Sequence, residues 1–142
     1  LQAQSKSPSI IVDHAQPLNK PSPMLAFSAP PCLECGTCCF SNLETSVRVT
    51  GDDYQRLGDA VEEFVHFVGN RAYMRIEGGH CAALRIEPQG ELKGRFVCSV
   101  YEQRPDACRE LERGSAQCAG ELFAKSGRAG SKLVDLRRRA SR

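Results

Sequence analysis

The sequence has no tryptophan, and only six phenylalanines and three tyrosines among 142 residues, so large aromatic side chains can supply little of its core. No apolar run approaches the roughly eighteen residues of a membrane span, and nothing near the N-terminus combines a basic stretch, an apolar core and a cleavage site. A soluble, cytoplasmic chain is expected. Also missing are a Walker A loop, a Gly-x-Gly-x-x-Gly turn, a serine nucleophile elbow and a His-Glu-x-x-His pair, which removes the usual signatures of nucleotide binding, serine hydrolysis and zincin chemistry. Asp52, Asp53, Glu62 and Glu63 read as solvated helix faces and caps, and no general acid and base stand out. There is no internal repeat.

The net charge is small, but the charges are unevenly placed. Lys125, Arg128, Lys132, Arg137, Arg138, Arg139 and Arg142 against Asp135 give the last eighteen residues +6, which leaves −4 for residues 1–124 when the formal total is +2. The body is thus mildly acidic, and neither a nucleic-acid partner nor a membrane is expected.

Three segments are expected. Residues 1–31, with six prolines among serine, glutamine and lysine, read as an extended arm or linker, in which Ile10 to Val12 could add one short strand to an edge. Residues 124–142 hold too little apolar surface to offset the entropy of ordering them, and read as a basic tail without stable structure. Between them, residues 32–123 contain all eight cysteines.

The punctuation of that middle segment predicts a small, irregular α+β domain with short helices and strands. "SVRV" (46–49) alternates as a strand does, and Thr50 with Asp53 forms a capping box for a helix over "GDDYQRL". Val61, Phe64, Val65 and Val68 recur at helical spacing, which predicts a second helix over residues 59–68 stopped by Gly69. "RAYMRIE", "CAALRIE" and "RFVCSV" read as strands separated by Gly78-Gly79 and by "PQGELKG". Pro105 should open a helix that carries Cys108 and Leu111 on its inner face and ends at Gly114.

What the chain has in quantity is sulfur. "CLECGTCC" sets Cys32, Cys35, Cys38 and Cys39 within eight positions, and Cys81, Cys98, Cys108 and Cys118 follow. Cys-x2-Cys spacing lets one turn of backbone aim two thiolates at a single ion, with amides left over to hydrogen-bond the sulfurs. It suits disulfides poorly, because residues three apart bridge mainly in catalytic redox loops, and no βαβ pattern surrounds "CGTC". The run follows the ferredoxin spacing for three cysteines and then departs from it, since Cys39 comes at once and no proline follows. Adjacent side chains diverge, so Cys38 and Cys39 should not serve one centre in the same way. Eight thiols could make two four-sulfur sites, or one cluster with thiols left over. His80, beside Cys81, is either a further ligand or part of a Gly-Gly-His turn; His66 reads as a half-buried helix residue.

"CLECGTCC", then "VRVTGDDYQRL", "HCAAL" and "CSVYEQRPDACREL", resemble the bacterial YkgJ-type cysteine-cluster family over about residues 32–118. The resemblance implies a zinc- or iron-chelating domain that binds metal through Cys32, Cys35, Cys38, Cys39, Cys81, Cys98 and Cys108, with Cys118 completing the set. It implies no reaction. The function expected is therefore metal binding, with zinc, iron or an iron–sulfur cluster, at a site that is structural or used in metal handling. An iron–sulfur redox or accessory protein and a secreted disulfide-stapled module are the alternatives. Arg104 and Arg109 flank Cys108 closely enough to offset thiolate charge, and Arg104 could equally pair with Glu102 or Asp106.

Overall fold

A computed structural model describes residues 28–91 and 93–142; the expected arm, including Ile10 to Val12, lies outside them up to residue 27. Thr50 opens the first described helix of more than one turn. Its hydroxyl accepts the Asp53 N–H while the Asp53 carboxylate accepts the Thr50 N–H, so the capping box forms as expected and starts helix α2 (Gly51–Leu57), which follows α1 (Cys32–Cys35) and strand β1 (Arg48–Val49). No described helix is long and apolar enough to cross a membrane.

The next segment departs from expectation. Helix α3 covers only Val61–Phe64, and Val65–Val68 is strand β2. Two valines and a phenylalanine gain more from the pleated surface of a sheet than from a helix, and the strand pairs antiparallel with β3 (Arg71–Met74) in the register Val65 with Met74 and Val68 with Arg71. Gly69, expected to stop a helix, begins the tight turn of this hairpin. Strand β1 takes the other side of β3, so the sheet order is β1-β3-β2. Two hairpins follow: β4 (Ile76–Glu77) with β5 (His80–Cys81) across Gly78-Gly79, and the longer β6 (Leu84–Gln89) with β7 (Lys93–Cys98).

Pro105 does precede a helix, but α4 is one turn, Asp106–Arg109, and Leu111 lies beyond it. Ser115 then caps α5 (Ala116–Ala124) by accepting the Cys118 N–H. The basic tail is not a frayed end: Arg128–Ala140 is helix α6, with Leu133 buried. Its apolar stripe is narrow, yet it meets a surface made for it. A β-carbon at Gly94 would lie 2.5 Å from Leu133 Cδ2, so the bare backbone of β7 is what lets Leu133 seat there. Lys132 donates to the Gly78 carbonyl (3.1 Å), and Arg137 to the carbonyls of Gln89, Gly90 and Lys93 at the β6–β7 turn.

The result is a small α+β fold with two apolar clusters. The larger gathers Val49, Leu57, Phe64, Val65, Ala72, Met74, Ala83 and Val100; the smaller gathers Phe40, Leu84, Phe96 and Leu133.

Candidate metal centre

All eight cysteines are free thiols. Those of "CLECGTCC" are set by very short elements. The four residues of α1 bury none of their side chains, and the turn ends at Gly36, whose N–H bonds the Cys32 carbonyl at 3.0 Å. Gly36 has φ +58°, and a β-carbon there would lie 2.5 Å from Phe96 Cγ, so only glycine can bring Cys35 back over β7. A 3-10 turn over Thr37–Cys39 follows, and the Cys35 thiol donates to Thr37 Oγ1 at 3.1 Å. Cys38 is exposed, whereas Cys39 is half-buried against the smaller cluster. They differ electrostatically as well. The interaction with Cys39 and the charge of Lys125 lower Cys38 to about 7, while the same interaction and burial push Cys39 well up.

Cys81, Cys98 and Cys108 are held differently. Burial raises Cys81 to about 11, while the nearby backbone amides of Ala83 and Leu84 act the other way; for Cys98, also raised by burial, the opposing amide is that of Val100. Cys81 and Cys98 each end a strand and open a short turn. The two turns are joined, since the Ala83 carbonyl accepts both the N–H (2.8 Å) and the hydroxyl (2.7 Å) of Ser99. Burial and the neighbouring charges of Cys81, Cys98 and Cys38 raise Cys108 to about 12, against the pull of Arg104.

The mutual influences divide the thiols into two neighbourhoods. After burial, Cys38, Cys35 and Cys118 are what raise Cys32, with Arg113 opposing; Cys39 feels Cys38, Cys81 and Cys108. Cys38 is felt in both. Among the described residues, no three His, Cys, Asp or Glu side chains already converge on one point that could cage an ion. The donor set nonetheless suits a thiophilic metal: eight unbridged thiols, six of them half-buried, where the protonated form is favoured until a cation offsets the charge.

Arg104 bears on Cys98 and Cys108 as expected, while its guanidinium stacks 4.0 Å from the centroid of Tyr101 and donates to the Tyr101 carbonyl at 2.8 Å. Arg104 has no ion pair with Glu102 or Asp106 among the described contacts; the partner of Asp106 is Arg56, at 2.9 Å. Arg109 turns back to the carbonyls of Arg104 and Glu102 and fastens the loop before α4. The His80 Nδ1 stands 2.8 Å from the Cys81 carbonyl, which makes it the donor, and its ring meets Phe40 edge-on at 5.6 Å. That geometry builds the β4–β5 hairpin. His66 lies in β2, not in a helix, opposite Tyr73.

One residue was undervalued by sequence reasoning. Asp53 caps α2 but is not solvated: it is fully buried and also accepts the Asp106 N–H at 3.0 Å and Arg56 Nη2 at 2.5 Å. Burial would raise its carboxyl, yet the N–H groups of Thr50 and Asp106, the Thr50 hydroxyl and the Arg56 charge outweigh it and hold the pKa below the ordinary range. Only its capping-box spacing was visible in the sequence.

Residues 31–125 match a family model named CxxCxxCC, described as "Putative zinc- or iron-chelating domain". No curated protein and no solved structure matches the chain.

Proposed function

This chain belongs to the CxxCxxCC zinc- or iron-chelating family, and from that premise we propose that its eight cysteines hold metal in two groups, at sites that are structural or serve metal handling. Cys32, Cys35, Cys38 and Cys118 form one group, and Cys39, Cys81, Cys98 and Cys108 the other, with the adjacent pair Cys38 and Cys39 as the seam. The observation that carries this reading is that Cys81 and Cys98 each end a strand and open a turn, and that the Ala83 carbonyl joins the two turns by accepting the N–H and hydroxyl of Ser99. Bound zinc or iron would supply the positive charge that lets clustered thiols stay deprotonated, and Arg104 would offset part of the remaining −2 of a four-thiolate divalent site. Free thiols in this number suit a reducing compartment, and we assign the chain to the cytoplasm.

Anaerobic purification followed by elemental analysis and a visible spectrum tests the proposal and separates zinc from an iron–sulfur centre, which absorbs. Two metals per chain are expected. Cys38→Ser and Cys39→Ser should each lose about one of them, from different groups by X-ray absorption. Metal content untouched by Cys81→Ser and Cys98→Ser, or disulfides found by thiol counting in denaturant, would overturn it.

A further inference from the structure

Helix α4 carries Cys108 but has little to hold it in place. It is a single turn, it buries no side chain of its own, and its N-cap is Pro105, which offers no side-chain cap. One turn is too short to persist by itself. The support comes from α2. Asp53 Oδ2 accepts the Thr50 N–H at 2.8 Å within the local capping box, and Oδ1 accepts the Asp106 N–H at 3.0 Å, so one buried carboxylate caps two helices whose starts are far apart in sequence. Arg56 completes the clamp: its Nη2 reaches Asp53 Oδ1 (2.5 Å), Asp106 Oδ1 (2.9 Å) and the Arg104 carbonyl (3.2 Å). Pro105, between these points, is fully buried, and the Cys108 N–H bonds its carbonyl at 2.9 Å. The Arg104 carbonyl and the Asp106 N–H are thus tied to α2 directly, and the Cys108 N–H bonds the carbonyl of Pro105, which lies between them.

We propose that Asp53, with Arg56, is the positioning residue for Cys108, holding that thiol toward Cys81 and Cys98. An exposed capping carboxylate would stabilise α2 almost as well. Burying it has the further effect of fixing the segment 104–108. The proposal rests on the reading of Cys108 as a metal ligand, and the test keeps the two apart.

In the full-length, reduced, metal-free protein, alkylation of each cysteine is followed by mass spectrometry, and zinc affinity is measured against a chromophoric chelator. Asp53→Asn keeps the shape and loses the charge. Cys108 should then alkylate about tenfold faster, the size of effect expected when a charge-assisted hydrogen bond is lost, while Cys32 and Cys118 stay within about twofold. Zinc affinity should fall in Asp53→Asn, fall further in Cys108→Ser, and fall no further in the double variant, because Asp53 acts through Cys108. Arg56→Gln, which loosens the clamp from its other side, should show the same selectivity for Cys108 even if Asp53→Asn folds poorly. Equal acceleration at all thiols, or zinc losses that simply add, would overturn the proposal. If Cys108→Ser leaves zinc affinity intact, Cys108 is not a ligand, and the alkylation rates still decide whether Asp53 holds it.

Discussion

The two apolar clusters are assembled from different kinds of sequence. Six of the eight buried members of the larger one lie between Val49 and Met74, in β1, α2, α3 and the first sheet, whereas the four of the smaller one, Phe40, Leu84, Phe96 and Leu133, come from four separate stretches of chain. A cluster built from neighbouring elements needs little loop closure, and here it is also fastened by the Asp53 clamp; a cluster drawn from distant ones must bring them together first. The run Cys32 to Cys39 packs with the second kind, through Cys39 and through Gly36 on Phe96. The difference teaches that burial defines the first region, while the second depends on something that ties far segments together, which ligation by shared thiols would do.

Stripping the metal should separate the two most strongly. Zinc–thiolate binding contributes on the order of 10 kcal/mol to small domains, so amide exchange should lose most of its protection over residues 32–40 and 116–140, and much less over 49–74. Equal loss in both regions would erase the distinction. Leu133→Ala comes next: removing a buried leucine costs about 3 kcal/mol, and denaturant titration combined with amide exchange should find the loss concentrated in α6 and the β6–β7 hairpin. A broad drop that includes α2 would show that the clusters melt as one. The smallest effect is that of acid on the larger cluster. Asp53 has a depressed pKa in the fold, so the stability it adds is fully present above the unfolded value of about 4 and is lost as pH falls through its folded value. Thermal melts should show this decline in the wild type, and Asp53→Asn should flatten it; an unchanged acid limb in the variant would remove Asp53 from the account.

The sequence disclosed what is local. Thr50 with Asp53 marked its helix start because both partners of a capping box lie within one turn, and the glycines at 78 and 79 marked a real hairpin. It misled at Val65 to Val68, where a helical period and strand-forming residue types coincide, and only the partner strand β3 decides between them. It hid the docking of Leu133, because a single leucine is a weak signal until Gly94 opens a seat for it. In the same way the second role of Asp53 depends on an amide at residue 106, which no local pattern announces. The spacing of the cysteines pointed to the family that the chain matches, while the influence of Cys118 on Cys32 and of Cys108 on Cys39 depends on the fold.

That division also has a consequence for synthesis on the ribosome. Cys32 and Cys118 influence one another in the finished fold although 86 positions separate them, and Arg113 holds the carbonyls of Ala29 and Pro30 across a similar span. At about 5–20 residues per second the four thiols of the opening run emerge roughly 4–17 s before Cys118 does. In the proposed grouping they would be, during that interval, a chelator without its later partner, open to oxidation or to the wrong ion. If the proposed grouping holds, a reducing surround and a controlled supply of metal would be requirements of translation for this chain, before they matter to the folded protein.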